Sequence, residues 1–211
     1  MKCCYLDHQK RFAFVAPAKT ATTSLRAYLW ELRSGTPWEG KDEVSNKPHA
    51  PGDNIWIEEN LRGLQTDVRD VPPGTPLIAM HRDTADRVVS YFSRQVMWKC
   101  PRWTLKDFLD HLLPEVLFSG NTAWARHVAQ NVAVLGSDPG AYDYILPVSR
   151  ADEIPALLEH VTGGEKFPPF PSRNRVATPP LEPDVFSRTW LDNYAALDRW
   201  IGWDGRMEKL P

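Results

Sequence analysis

The sequence predicts an α/β fold: a single-domain, three-layer arrangement with a central, mostly parallel sheet flanked by helices. Three short apolar runs, at residues 12–16, 76–80 and 142–148, have the composition of strands that are buried on both faces. Each run is followed by a segment with helical periodicity, which is the order of elements in a doubly wound sheet. At 211 residues the chain is long enough for one such domain and short for two, so we predict a single domain over residues 1–211.

Composition restricts the class of partner. A formal net charge of −2 argues against general attraction to nucleic acid polymers or to an acidic membrane surface. No apolar run reaches the length of about 18 residues that a membrane span needs, and no signal-peptide core follows Met1, so we predict a cytoplasmic protein with no membrane partner. The three cysteines match neither a disulfide framework nor a metal-ligand spacing. Any anion site must therefore be a local concentration of Lys and Arg.

The first apolar run leads through a loop with one lysine into a helix that opens with three hydroxyl side chains. The loop is residues 17–21, PAKTA, and the helix begins TTS at residue 22. The first N–H groups of a helix have no intrahelical partner and lie at the positive end of its dipole, so they bind anions. The alternative is an ordinary strand-to-helix turn with a solvated lysine and Ser/Thr capping. We predict a phosphate site formed by Lys19, Thr20, Ala21, Thr22, Thr23 and Ser24.

The second apolar run ends in a charged junction, and a helical pattern starts at Thr84. Arg82 at the strand end and Ser90 are eight residues apart, a little over two helical turns, which places them on the same side of the helix. Open α/β sheets bind ligands at the carboxyl ends of their strands. The alternative is a helix-capping salt bridge between Arg82 and Asp86, with a solvated serine.

Together the two segments resemble the phosphate-binding motifs of sulfotransferases that use 3′-phosphoadenosine 5′-phosphosulfate (PAPS). Residues 19–25, KTATTSL, match the 5′-phosphosulfate loop, except that Ala18 separates Pro17 from the lysine and the usual glycine is absent, being Ala21 or Thr22 according to the branch aligned. Residues 82–90, RDTADRVVS, match the 3′-phosphate motif with Thr84 in place of proline.

The resemblance, closest to the carbohydrate-acting branch, implies a P-loop-like fold and a specific reaction. The sulfuryl group of PAPS would pass to a hydroxyl of a carbohydrate or other small acceptor, releasing adenosine 3′,5′-bisphosphate without a metal. Lys19 would be catalytic as well as cofactor-binding, and Arg82 and Ser90 would hold the 3′-phosphate. The lack of an anchor and of disulfides indicates a bacterial or viral relative.

Two irregular segments complete the predicted site. Residues 34–56, rich in Gly and Pro, are predicted to be a substrate-side loop. They contain His49, whose KPHAP setting resembles the stretch in carbohydrate sulfotransferases where a histidine is thought to act as base. The alternative is that His49 is an exposed loop histidine and that the base is His81, or Glu58 and Glu59. Residues 164–183, with six prolines, are predicted to be a flap, and Asn174 and Arg175 weakly resemble a stretch that helps close over the nucleotide.

The remaining elements are predicted from caps and periodicity. A threonine cap at Thr104 followed by Asp107 predicts a helix. Further helices are predicted near residues 57–64, over residues 121–130, from Asp152 onward, and over residues 184–201. The last is predicted to bury Phe186, Trp190, Tyr194, Leu197 and Ile201.

Two other functions stay open at this point. A small-molecule kinase with a degenerate phosphate loop is disfavoured because the loop lacks the glycines of the nucleotide triphosphate motif and its lysine precedes the hydroxyls. A nucleotide-binding protein without catalysis is compatible with the Ala18 insertion and with Thr84. The acceptor and the oligomeric state cannot be predicted from the sequence.

Overall fold

The protein has a mixed α/β fold with an open, mostly parallel sheet, as predicted. The computed structural model describes residues 4–38, 65–97, 100–118, 125, 127–171 and 182–211. Within these ranges five strands form one sheet in the order β3-β1-β2-β4-β5. Neighbours β2, β4 and β5 are parallel, while β1 is antiparallel to both β2 and β3. The strands are β1 (Cys4–Leu6), β2 (Ala13–Val15), β3 (Gln65–Thr66), β4 (Leu77–His81) and β5 (Tyr144–Pro147).

Helices cover both faces of the sheet. Helix α2 (Thr84–Tyr91) continues into a wider helical turn at Phe92–Val96. Helix α3 is a helical run over residues 105–118 with a similar wide turn in its middle, at Phe108–Leu112. Among the described residues, every helix is too short or too polar to cross a membrane. The other helices are α1 (Thr22–Ser34), α4 (Val132–Leu135), α5 (Ile154–Val161) and α6 (Val185–Ile201).

The three predicted apolar runs coincide with β2, β4 and β5. Because successive strand residues point to opposite faces, each run supplies side chains to two separate cores. One face packs against α1 and α5 and contains the larger side chains, among them Phe12, Phe14, Ile78, Met80 and Leu146. The other face has smaller ones, including Ala13, Val15 and Ala79, and packs against Tyr142 and the fully buried Trp203.

A third core lies between helices α2, α3 and α6. Val88, Phe92 and Phe108 meet Leu191 and Ala195 of α6 there. The predicted cap of α3 is confirmed: the Thr104 hydroxyl and the Asp107 backbone and carboxylate form the reciprocal bonds of a capping box. This helical layer holds α2 against the end of the sheet, where the candidate site lies.

The first strand of the chain was not predicted. Residues 4–6 form β1, which returns as β2 through a turn in which Lys10 adopts a φ of 60° and the Asp7 carboxylate accepts from the N–H of Gln9. A run of three residues is too short to give a periodic signal.

The predicted start of the helix after β5 was wrong, and the predicted buried face of α6 was wrong in part. A tight helical turn, Val148–Glu153, follows β5, so α5 begins at Ile154 instead of Asp152, with a proline in its first turn, where proline is tolerated. Trp190, Tyr194 and Ile201 are partly buried and pack against the cores, as predicted, whereas Phe186 and Leu197 are exposed. The fully buried residues of α6 are Ser187, Leu191, Ala195 and Asp198. Of residues 121–130, residues 125, 127 and 128 are helical, and the predicted helix at 57–64 lies outside the described residues.

Candidate functional site

The two predicted phosphate-binding segments lie side by side at one edge of the sheet. Strands β2 and β4 are adjacent and parallel, with Val15 level with Ala79. The loop after β2, residues 16–21, which we call the Lys19 loop, and Arg82 after β4 therefore leave the sheet at the same end. This is the end at which open α/β sheets bind ligands.

The backbone of the Lys19 loop has an unusual conformation. Lys19 and Ala21 are both left-handed, with φ of 68° and 53°, and Thr20 between them lies outside that region. A non-glycine residue in this region costs about 1 kcal/mol or more. The concave anion-binding shape found in phosphate loops is formed by successive N–H groups of residues that alternate between left-handed and right-handed conformations. Lys19 and Ala21 supply the two left-handed residues that such a shape needs.

Helix α1 begins without a side-chain cap. Its N-cap is Ala21, which has no oxygen to accept from the helix, and the first intrahelical bond runs from the Leu25 N–H to the Ala21 carbonyl at 2.9 Å. In α2, by contrast, the Asp83 carboxylate accepts from the N–H groups of Ala85 and Asp86 at 2.8 and 3.3 Å. A Ser/Thr-capped turn would need a hydroxyl at the position of Ala21. Of the two helices, α1 is therefore the one whose N-terminus suits an external anion.

The hydroxyl side chains of the loop differ in their surroundings. Thr20 has no exposed surface, and both its hydroxyl and its N–H donate to the Pro17 carbonyl, closing the loop. Thr22 and Ser24 are buried, while Thr23 is half-buried. The roles of these residues as phosphate ligands stay predictions, and Thr20 in addition stabilises the loop itself.

The Tyr91 ring contacts both Lys19 and His127, a histidine to which the sequence assigned no role in the site. The Lys19 ammonium lies 5.8 Å from the centre of the Tyr91 ring, within the range of a cation–π contact. Burial raises the pKa of Tyr91 to about 12, so the ring stays neutral. The same ring stacks on His127 at 5.4 Å and an interplanar angle of 16°.

Arg82 lies at a strand end and Ser90 lies on the helix that follows it, and their role as ligands of the 3′-phosphate stays a prediction. Arg82 follows β4 directly, and the half-buried Ser90 lies in the last turn of α2. The Arg82 guanidinium lies 3.8 Å from the Asp86 carboxylate, whose side chain is 65% exposed. This is the salt bridge of the alternative interpretation. An exposed pair at that distance contributes less than about 1 kcal/mol, so a phosphate can compete for the guanidinium.

A buried polar bridge connects the two segments. Arg87 of α2 has no exposed surface; its Nε donates to the Ala18 carbonyl at 2.9 Å and its Nη1 donates to Asn131 Oδ1 at 2.8 Å. Asn131 Nδ2 in turn donates to the Arg82 carbonyl at 2.8 Å. Sequence reasoning missed both residues. Arg87 could have been found, because it matches the motif and is a charged residue among the mostly apolar buried residues of α2. Nothing in the sequence around Asn131 indicates a role in the site.

The Asp198 carboxylate of α6 stabilises the bridge by hydrogen-bonding the backbone at Asn131. Its fully buried carboxylate accepts from the N–H groups of Asn131 and Val132 at 2.7 and 2.8 Å and from the Thr84 hydroxyl. Thr84, which stands where the motif has proline, therefore ties α2 to α6. The sequence assigned α6 to packing alone, so its contribution to the site was missed.

The other predicted site residues divide into two groups. His49, Glu58, Glu59, Asn174 and Arg175 lie outside the described residues, and their roles stay predictions. His81 is described: it has no exposed surface, its Nε2 lies 2.7 Å from the Met207 carbonyl, and burial lowers its pKa. An acceptor cannot reach this imidazole, so His81 is structural.

Comparisons of the chain with protein-family models, with curated proteins and with solved structures find no match. The resemblance to PAPS-dependent sulfotransferases therefore depends on the two motifs and on the geometry that the fold gives them. Among the described residues, no group of three or more His, Cys, Asp or Glu side chains is placed to hold a metal ion.

Proposed function

We propose that this protein is a PAPS-dependent sulfotransferase with a P-loop-like, single-domain fold. The observation that carries the proposal is the placement of the Lys19 loop and the Arg82–Ser90 segment at the ends of two adjacent parallel strands. One segment offers a helix N-terminus and a lysine; the other offers an arginine and a serine. A nucleoside with phosphates at both its 5′ and 3′ positions needs two such sites close together.

The chemistry follows from the residues of the Lys19 loop. In the transfer, the bond from the sulfuryl sulfur to the bridging oxygen of PAPS breaks, a bond to the acceptor hydroxyl oxygen forms, and the hydroxyl proton goes to a base. Lys19 neutralises the negative charge that develops on the bridging oxygen, and the N–H groups at the start of α1 hold the 5′-phosphate in place beforehand. A sulfuryl group carries less charge than a terminal phosphoryl group, so a lysine and a helix terminus replace the Mg²⁺ of kinases.

We propose His49 as the base, because its loop separates the two motifs in sequence and a histidine titrates near neutral pH. The acceptor is a carbohydrate or another small hydroxyl compound. Among the described histidines, His127 is the second candidate, because it shares Tyr91 with Lys19.

Nucleotide binding tests the proposal. Calorimetry in EDTA should show that adenosine 3′,5′-bisphosphate binds without Mg²⁺ and more tightly than ATP. Lys19→Ala should weaken the bisphosphate by about 1.5 to 3 kcal/mol, the value of a hydrogen bond to a charged group. Lys10→Ala is the matched control, since Lys10 is also left-handed but lies in the β1–β2 turn. A requirement for Mg²⁺ together with a preference for ATP would instead indicate a kinase.

Turnover tests the reaction itself. Labelled PAPS, offered with a panel of sugars, phenols and lipids, should transfer its label to at least one acceptor class. Tight binding of the bisphosphate without transfer to any acceptor would identify a nucleotide-binding protein that lacks catalysis.

A further inference from the structure

We propose that the buried Arg87–Asn131 pair sets the spacing between the two phosphate subsites and so determines selectivity for a nucleotide with phosphates at both the 3′ and 5′ positions. The inference rests on the proposed function. Both side chains are fully buried, and their bonds described above hold backbone carbonyls of the two segments, so we treat them as positioning residues.

Arg87 orients the Lys19 peptide. The Ala18 carbonyl and the Lys19 N–H belong to one planar, trans peptide unit and point in opposite directions. The 2.9 Å bond from Arg87 Nε to the Ala18 carbonyl therefore also fixes the direction of the Lys19 N–H. Lys19 has a left-handed backbone, which persists only where surrounding contacts hold it. Arg87 thus holds the 5′ side of the site.

Asn131 orients the backbone at Arg82, where the proposed 3′-phosphate subsite begins. Its Nδ2 donates to the carbonyls of Arg82 and Trp203 at 2.8 and 3.2 Å. Its amide can be oriented in one way only, because a guanidinium can only donate to Oδ1 and a carbonyl can only accept from Nδ2. The Asn131 backbone N–H is held by Asp198 at 2.7 Å. The Arg82 carbonyl, and with it the direction in which the chain leaves β4, is therefore anchored to a side chain that is itself fixed.

The bridge is stiff because of its chemistry and its burial. Arg87 and Asn131 both have no exposed surface, and a guanidinium is planar and stays protonated. Its bonds to neutral oxygens are charge-assisted and are stronger away from water. A ligand with two phosphates gains from the second contact only when both subsites fit it at once, and small misplacements remove that gain. A stiff bridge between the subsites therefore favours one phosphate spacing.

The test compares two ligands in four proteins. The Kd values of adenosine 3′,5′-bisphosphate and adenosine 5′-phosphate are measured by calorimetry for the wild type, Arg87→Lys, Asn131→Ala and Gln130→Ala, and their ratio gives the gain from the 3′-phosphate. Arg87→Lys keeps the charge but loses the two-pronged geometry, and Asn131→Ala removes a neutral group. Both should reduce the ratio about 10- to 100-fold, the cost of displacing a binding group by about 1 Å.

Gln130→Ala is the control, because Gln130 precedes Asn131 but donates to the Tyr194 carbonyl, away from both subsites. It should keep the wild-type ratio. A general loss of stability lowers the fraction of folded protein for both ligands alike and leaves the ratio unchanged. Wild-type ratios in folded Arg87→Lys or Asn131→Ala would overturn the inference and leave the proposed function standing; if one variant does not fold, the other decides. A wild type that gains nothing from the 3′-phosphate would overturn the proposed function and this inference together.

Discussion

Ala21 is one of the two positions at which the phosphate loop that this segment resembles usually has glycine. The sequence left the glycine position open between Ala21 and Thr22. In the structure Ala21 is left-handed with φ of 53°, and Thr22 is the first helical residue. The loop therefore keeps its shape without glycine and at a cost in backbone strain.

We predict that Ala21→Gly stabilises the protein. Relief of left-handed strain should exceed the extra chain entropy that glycine brings, for a net gain of about 0.5 to 1 kcal/mol in the free energy of unfolding. Ala18→Gly is the matched control: Ala18 is equally half-buried, lies in the same loop and is not left-handed, so it should lose about 0.5 to 1 kcal/mol. Urea denaturation measures both, and an equal loss in the two variants would show that Ala21 carries no strain.

Arg82 faces two competing partners, the exposed Asp86 carboxylate and the proposed 3′-phosphate. Arg82→Ala should therefore weaken adenosine 3′,5′-bisphosphate by about 1.5 to 3 kcal/mol and leave adenosine 5′-phosphate nearly unchanged. Asp86→Asn should tighten the bisphosphate, because the guanidinium loses the carboxylate that lies 3.8 Å away. Calorimetry decides: equal losses for both nucleotides in Arg82→Ala would show that the arginine is structural.

At the scale of elements, α6 differs most from the sequence interpretation. Its exposed side chains include Phe186, Leu197 and Trp200, while its buried face contains Ser187 and Asp198. Asp198 accepts from the N–H groups that begin α4 and from the hydroxyl that begins α2. One carboxylate of α6 thereby stabilises the starts of two other helices, where negative charge is favourable.

Asp198→Ala should consequently lower the free energy of unfolding by about 3 kcal/mol, because three buried donors lose their acceptor. Asp192→Ala on the same helix is the control. Asp192 is exposed and pairs with Arg199 at the surface, so its removal should change stability by no more than about 1 kcal/mol. Chemical denaturation of both variants tests this, and similar losses would contradict the role given to Asp198.

At the scale of the whole molecule, the C-terminal segment forms a backbone bridge to β5, the strand at one edge of the sheet. The backbone of Lys209 exchanges hydrogen bonds with Ile145 of β5 at 2.9 and 3.0 Å. Trp203 fills the core beneath the sheet and donates to the Gly136 carbonyl at 2.9 Å. His81 at the end of β4 binds the Met207 carbonyl, so a buried imidazole connects the site-bearing edge to the last residues of the chain.

This imidazole predicts a pH dependence of stability. Burial lowers the pKa of His81 in the folded protein, partly offset by its bond to Met207 and by Asp204. Below the ordinary histidine pKa of about 6.5 the unfolded chain takes up a proton that the folded protein resists, so stability falls as the pH drops from about 7 to 5. The slope from one such group is at most about 1.4 kcal/mol per pH unit.

His81→Gln should flatten this slope, since an amide can keep a donor near Met207 but does not titrate. His160→Gln, which changes an exposed histidine at the end of α5, should keep the wild-type slope. Urea denaturation at several pH values measures the effect. A slope that survives in His81→Gln would assign the titration to another group.

The sequence by itself determined the class of fold, the strands β2, β4 and β5, the starts of α1 and α2, and the cap of α3. It also placed Lys19, Arg82 and Ser90 at strand ends and helix turns. These features depend on interactions within a few residues: an apolar run, a hydroxyl-rich helix start, and the Thr104–Asp107 capping box. Signals of this kind involve residues that are close together in the sequence, so they can be recognised before the fold is known.

The tertiary structure alone decided how these pieces are joined. Arg87 meets Ala18 and Asn131 across 69 and 44 residues of chain, and Asp198 meets Asn131 across 67. The buried face of α6 likewise depends on which side chains fit against α2. Spacing along the chain does not encode such pairings, because a buried polar group is satisfied by whichever partner the packing of distant elements brings within hydrogen-bond distance.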